Sequence, residues 1–166
     1  MIVTRTVRRV ATALALATAG ALCAPGIASA ADFDADGRTD FAIWRPSSGT
    51  WRVIRSSNGS ELARQWGESA DIPVPGDYDG DGRTDFAIWR PSSGTWRVIR
   101  SSNGGELARQ WGESADIPVP GDYDGDGRTD FAIWRPSSGT WRVIRSSNGS
   151  DLARQWGESA DIPISG

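Results

Sequence analysis

Along the chain, short runs of aromatic and β-branched residues alternate with clusters of Asp, Gly, Ser and Asn, and the whole pattern recurs every 45 residues. In the complete second unit the apolar runs cover Ile72 to Tyr78, Phe86 to Trp89, Trp96 to Arg100 and Leu107 to Trp111. Between them stand an Asp/Gly loop, Pro91-Ser92-Ser93-Gly94 and Ser102-Asn103-Gly104-Gly105, residue types that join antiparallel strands. No stretch after residue 30 sustains a 3.6-residue apolar period, so the pattern predicts four short antiparallel strands per unit and no helix. In the third run Trp96 and Val98 alternate with Arg97 and Ile99. Both faces of that strand therefore carry apolar groups, as a sheet held between two neighbours requires.

Four antiparallel strands recurring at this period predict an all-β fold of β-propeller-type blades, with a β-solenoid as the rival architecture. The blades span about 31–70, 71–115 and 116–160, and 161–166 reads as a closing strand. The first unit begins at its Asp loop and lacks a counterpart of Ile72-Pro73-Val74-Pro75-Gly76. The chain finishes with a further copy of that strand, Asp161-Ile162-Pro163-Ile164-Ser165-Gly166. This phase shift lets the last strand complete the first blade, which would remove two exposed edges. Three blades fall short of the roughly four to eight that close a ring. Exchange of the strand between two copies would give about six blades with two-fold symmetry. The sequence thus points to a homodimer, against an open three-bladed array.

Composition narrows the chemistry. Arg5, Arg8 and Arg9, the apolar run from Val10 to Leu22 and the small residues Ala28-Ser29-Ala30 predict a secretory signal over residues 1–30 and a secreted product. The apolar run is shorter than the ~20 residues of a spanning helix, so no membrane span is expected. The bulky Leu22 before Cys23 argues against a lipid anchor. After residue 30 there is neither Cys nor His, which excludes disulfides and the commonest transition-metal ligands. All basic residues are Arg, and beyond residue 30 fifteen of them face twenty-one acids, a net charge of −6. Three divalent cations would neutralise that charge, and no basic patch favours nucleic acid as a partner.

The loop Asp77-Tyr78-Asp79-Gly80-Asp81-Gly82-Arg83-Thr84-Asp85 places carboxylates at positions 1, 3, 5 and 9 and Gly at position 6. Calcium takes about six to eight oxygens, so a tight turn must offer several carboxylates with a backbone carbonyl and water. Asp77, Asp79, Asp81 and Asp85 are the candidate side-chain ligands, and the Arg83 carbonyl is the candidate at position 7. The alternative is a solvated acidic turn without metal. An EF-hand needs Glu at position 12, where this chain has Ile88.

The spacing D-x-D-x-D-G-x-x-D, followed by the apolar strand Asp85-Phe86-Ala87-Ile88-Trp89-Arg90-Pro91, resembles instead the calcium loops of FG-GAP and VCBS repeats, the blades of integrin alpha-chain propellers. That resemblance implies one Ca2+ per unit. It would make Asp32, Asp34, Asp36 and Asp40 the ligands of the first site, with the Arg38 carbonyl. Asp122, Asp124, Asp126 and Asp130 would serve the third, with the Arg128 carbonyl. The first loop departs from the other two by carrying Ala35 where they have Gly80 and Gly125.

Each unit also carries three Trp. Large aromatics supply most of the buried area of a small repeat, which makes them candidates for the core between blades. The alternative is that Trp66, Trp111 and Trp156, each two residues after Arg64, Arg109 or Arg154, stack on a ligand such as a sugar ring. With no asymmetric catalytic constellation, the sequence predicts no enzyme. It predicts a binding or adhesion module for an extracellular glycan or protein, against a purely structural or vestigial array or a targeting module like those of secreted hydrolases.

Overall fold

A computed structural model describes residues 31–164. The expected secretory signal lies outside the described residues, as do the last two positions of the expected closing strand. The described chain is all-β, folded into three antiparallel sheets whose strands follow one another in sequence. Strands β1 (Phe41–Arg45), β2 (Thr50–Ile54) and β3 (Glu61–Gln65) form the first. The second contains β4 (Ile72–Pro73), β5 (Phe86–Arg90), β6 (Thr95–Ile99) and β7 (Glu106–Gln110). The third contains β8 (Ile117–Pro118), β9 (Phe131–Arg135), β10 (Thr140–Ile144) and β11 (Asp151–Gln155). These are propeller-type blades, one per sequence unit.

The innermost strand is shorter than the apolar run from Ile72 to Tyr78 suggests. Only Ile72 and Pro73 pair regularly, with Trp89 and Ile88. Beyond them one bond from Val74 N–H to the Ala87 carbonyl and a bridge between Gly76 and Asp85 continue the contact. Pro73 and Pro75 have no N–H to give to a ladder, which confines such a segment to a sheet edge. In the first unit Pro46–Ser48 forms a single 3₁₀ turn where only a hairpin turn is expected.

Each sheet is covered on the face that meets the next. Phe33, Trp51 and Val53 of the first unit share a core with Phe86, Ile88 and Ile99 of the second. Ala87, Trp89, Trp96 and Val98, from the other face of the second sheet, share a core with Phe131, Ile133 and Ile144 of the third. The middle sheet is therefore apolar on both faces, as the alternation in β6 predicts. Trp89 and Trp96 are directly opposed across β5 and β6, with ring centroids 5.3 Å apart. The Asp that opens each inner strand adds a polar bond to the neighbouring strand of its own blade. The Arg90 Nε and Nη2 groups donate to the two oxygens of buried Asp71, both at 2.8 Å, and Arg135 holds Asp116 in the same fork. Such a bidentate pair fixes direction as well as distance.

At the ends the same surfaces lie open. Strand β1 has β2 on one side, and among the described residues no strand pairs with its other edge. Residues 161–164 form no strand, and Ile162 and Ile164 are exposed. Among the described residues the first blade is thus left with three strands.

Candidate metal centres

Each acidic loop is wound around its first carboxylate. Asp77 is buried, its Oδ1 accepting the N–H of Gly80 at 2.6 Å and of Asp81 at 3.2 Å, and its Oδ2 that of Gly82 at 2.8 Å. The last carboxylate fastens the loop to the sheet. Asp85 Oδ2 accepts the Tyr78 N–H at 2.9 Å, and Oδ1 accepts the N–H of Ser101, in the turn just beyond β6, at 2.7 Å. Because β5 and β6 pair with Phe86 opposite Ile99, Ser101 arrives beside the residue that precedes Phe86. Asp32 and Asp40 do the same work in the first unit, and Asp122 and Asp130 in the third.

This winding brings carboxylate oxygens of Asp77, Asp79 and Asp85 within 4.8 Å of one another. The corresponding trios are Asp122, Asp124 and Asp130 in the third loop, and Asp32, Asp34 and Asp36 in the first. Asp81 and Asp126 fall outside their trios, as does Asp40 in the first loop. Asp81 accepts the Ser101 hydroxyl at both oxygens, each at 2.8 Å. Arg38, Arg83 and Arg128 have exposed side chains. The Arg83 N–H donates to Asp81 Oδ1 at 2.9 Å where the loop turns back. Ala35 takes a left-handed φ of 61°, close to the 81° of Gly80 and 77° of Gly125, so the first loop keeps the shared path despite its side chain. That conformation costs a non-glycine residue roughly 1–2 kcal/mol.

A hard cation fits these trios. Oδ1 of Asp34 and of Asp124 is buried with no hydrogen-bond partner among the described residues. Such an atom is expensive unless a donor or a cation meets it. Burial pushes the Asp85 carboxyl up to about 6, against the pull of the Ser101 and Tyr78 N–H groups, and the Asp79 charge pushes the same way. Burial raises Asp130 too. Asp34 is lowered, chiefly by the hydroxyl of Ser57. Carboxylates crowded against burial and one another are the donor set that Ca2+ accommodates, through oxygen ligands and flexible geometry.

Sequence reasoning missed the serines. Ser102 Oγ donates to Asp79 Oδ2 at 2.6 Å, Ser57 to Asp34 and Ser147 to Asp124 at the same distance. They belong to the Ser-Ser-Asn-Gly turn that follows the third predicted strand of each unit, and its recurrence in step with the acidic loop is the signal that was available.

The aromatic candidates are distributed unevenly. Trp66 and Trp111 are half-buried in the seams between blades, with the Arg97 and Arg142 guanidinium carbons 5.6 Å from their ring centroids. Arg64 lies over the Phe86 ring in the same way, and Arg109 is half-buried. Trp156 and Arg154, on the last blade, are exposed. No helix among the described residues is long and apolar enough to cross a membrane.

No curated protein matches the chain. Its residues 32–88, and again residues 77–133, match the FG-GAP-like repeat, each match running from one acidic loop through the next and into the strand beyond it. Over more than half its length, with the loops and blades in phase, the chain belongs to the FG-GAP-like repeat family.

Proposed function

We propose that this is a secreted, calcium-stabilised, non-catalytic binding module, in which each acidic loop holds one Ca2+ and the blades present a surface to an extracellular ligand. FG-GAP repeats often bind calcium and are typically non-catalytic binding modules, commonly extracellular, and the three carboxylate trios supply the donors. The observation that carries the calcium assignment is the pair of buried, unpartnered carboxylate oxygens, Asp34 Oδ1 and Asp124 Oδ1, each in a trio of facing acids. In the second unit Asp77, Asp79 and Asp85 would hold the ion, with the Arg83 carbonyl and solvent completing the shell. The ion supplies positive charge where three carboxylates converge. The loop between the inner strand and the next is thereby fixed, and with it the blade.

A glycan is one ligand class for the module, with Trp156 and Arg154 the stacking and hydrogen-bonding pair that is open. Trp66 and Trp111 already have one ring face covered by an Arg from the following blade, which favours a packing role for them. Isothermal titration of the metal-stripped protein with CaCl2 tests the first part of the proposal. Three binding events lost on replacing Asp34, Asp79 and Asp124 support it; silence on titration overturns it. A glycan array run with calcium and with chelator tests the second. Calcium-dependent binding that Trp156→Ala abolishes supports the lectin reading, and silence across glycans replaces it with a protein ligand or a scaffold role.

A further inference from the structure

The two ends of the blade array are complementary halves of the contact made twice inside it. Phe86 enters the preceding blade beside Phe33 and Trp51, at centroid distances of 4.9 and 5.5 Å, and Phe131 enters beside Tyr78 and Trp96, at 5.1 and 5.3 Å. Both are nearly buried, at 8% and 9% exposure, whereas the equivalent Phe41 is 79% exposed. The matching receptacle stands empty at the other end of the chain. A cavity of about 890 Å³ on the third blade is lined by Tyr123 and Trp141, the counterparts of Tyr78 and Trp96.

The polar contacts are split in the same way. Asp71 and Asp116, each opening an inner strand, hold Arg90 and Arg135 at the ends of the strands with which those inner strands pair. Asp161 is exposed with no ion pair, and Arg45 has none either among the described residues. Arg97 and Arg142 cover Trp66 and Trp111, while Trp156, which follows in the same series, remains 71% exposed. Ile72 and Ile117 pair with Trp89 and Trp134, while Ile162 and the outer edge of β1 are both unpaired. Four contacts thus lack one partner at each end, and the missing partner is found at the opposite end.

We propose that a second copy of this chain supplies those partners. Residues 161–164 of one copy add as the fourth strand on β1 of the other, Asp161 takes Arg45 in a bidentate pair, and Phe41 enters between Tyr123 and Trp141. The exchange is reciprocal, so the interface occurs twice about a two-fold axis and closes about six blades, within the range in which propeller rings form. Three blades are fewer than the roughly four to eight that close a ring, which favours a partner copy over closure within one chain. Closure also removes the free edge of β1, a template for uncontrolled pairing if left bare. The proposal stands independently of the calcium assignment.

The test is the mass of the protein produced from its full coding sequence, by light scattering with calcium and with chelator, against the single-chain mass of the same sample by mass spectrometry. The variants are Arg45→Asp and Asp161→Arg. Arg45 and Asp161 are exposed; within the chain Asp161→Arg removes the turn bond that Asp161 Oδ2 accepts from the Glu158 N–H, and circular dichroism checks that both variants keep the fold. The expected result is twice the single-chain mass for the natural protein. Each single variant should dissociate at least about tenfold more readily, as loss of a hydrogen-bonded interfacial charge pair implies. The double variant, with the pair reversed, should recover most of the association. A natural protein of single-chain mass in both conditions overturns the proposal, as does a three-copy or open-ended assembly. Folded single variants that associate like the natural protein also overturn it.

Discussion

The Phe86 ring meets the Trp51 ring edge-on, centroids 5.5 Å apart, and these two residues belong to different blades. The contact is therefore one of those that join one sheet to the next, and Arg64 lies over the same Phe86 ring. Replacing Phe86 by Ala opens a cavity in the seam between the first two blades. The expected cost is about 3–5 kcal/mol, the range for truncating a buried aromatic. A urea melt followed by tryptophan fluorescence measures it, and a loss below about 1 kcal/mol would show the blades to be only weakly coupled.

Asp71 gives the attachment of the inner strand β4 to β5 a pH dependence. Burial pushes its carboxyl up, and the Arg90 hydrogen bonds, the Glu68 N–H and the nearby guanidinium charges together outweigh that, leaving it below its ordinary 3.8. The folded protein thus holds this proton less tightly than the unfolded chain. The resulting stability is present above about pH 4 and lost as pH falls through the lowered folded value. Asp71→Asn should be less stable than the natural protein at pH 7, with the gap closing as the pH is lowered below 4. Denaturant melts between pH 2 and pH 7 check the sign.

Asp79 separates the metal's contribution from that of the bare loop. It accepts the Ser102 hydroxyl at 2.6 Å and the Asp81 N–H at 3.3 Å, and its charge works against ionisation of Asp85. Without calcium, Asp79→Ala should change stability by no more than about 0.5 kcal/mol. With calcium at about a hundred times its dissociation constant, each occupied site adds about 2.7 kcal/mol, and the variant should lose one site's share. Thermal melts of both proteins in calcium and in chelator make the comparison.

Two glycines with similar backbone angles should respond differently to the same substitution. Gly94 has φ +59°, and a Cβ there would lie 2.4 Å from the Gly112 carbonyl oxygen. Gly104 has φ +71° and nothing within 4 Å of an added Cβ. Gly104→Ala carries only the left-handed penalty of roughly 1–2 kcal/mol. Gly94→Ala adds a backbone clash in the turn whose carbonyl accepts the Trp111 N–H, for a total of about 2–5 kcal/mol. Parallel denaturant melts of the two variants would show the difference.

The acidic loops were legible because their key residues are neighbours in sequence, so the spacing from Asp77 to Asp85 alone defines the turn. Ser101 and Ser102 were not, because they reach Asp85 and Asp79 only through the register of a hairpin formed afterwards. The blades were legible from alternation, and the inner strand was overextended because Val74 and Tyr78 are apolar although the prolines between them and Ile72 interrupt the ladder. The aromatic residues were the hardest to place. Phe41, Phe86 and Phe131 sit in the same local sequence, Asp-Phe-Ala-Ile-Trp-Arg-Pro, yet the first is exposed and the others are buried. No local pattern distinguishes them, because the difference lies in whether another blade precedes.

The repetition of the seams also bears on how such a chain can change over generations. The aromatic sockets that receive Phe86 and Phe131 are interchangeable joints, and the pairs of Asp71 with Arg90 and Asp116 with Arg135 each lie within one unit. Deletion of residues 71–115, or duplication of that stretch, brings together side chains already suited to one another, with no compensating substitution required. Unequal recombination between such alike units can therefore lengthen or shorten the protein by whole blades while leaving the seams between neighbours intact.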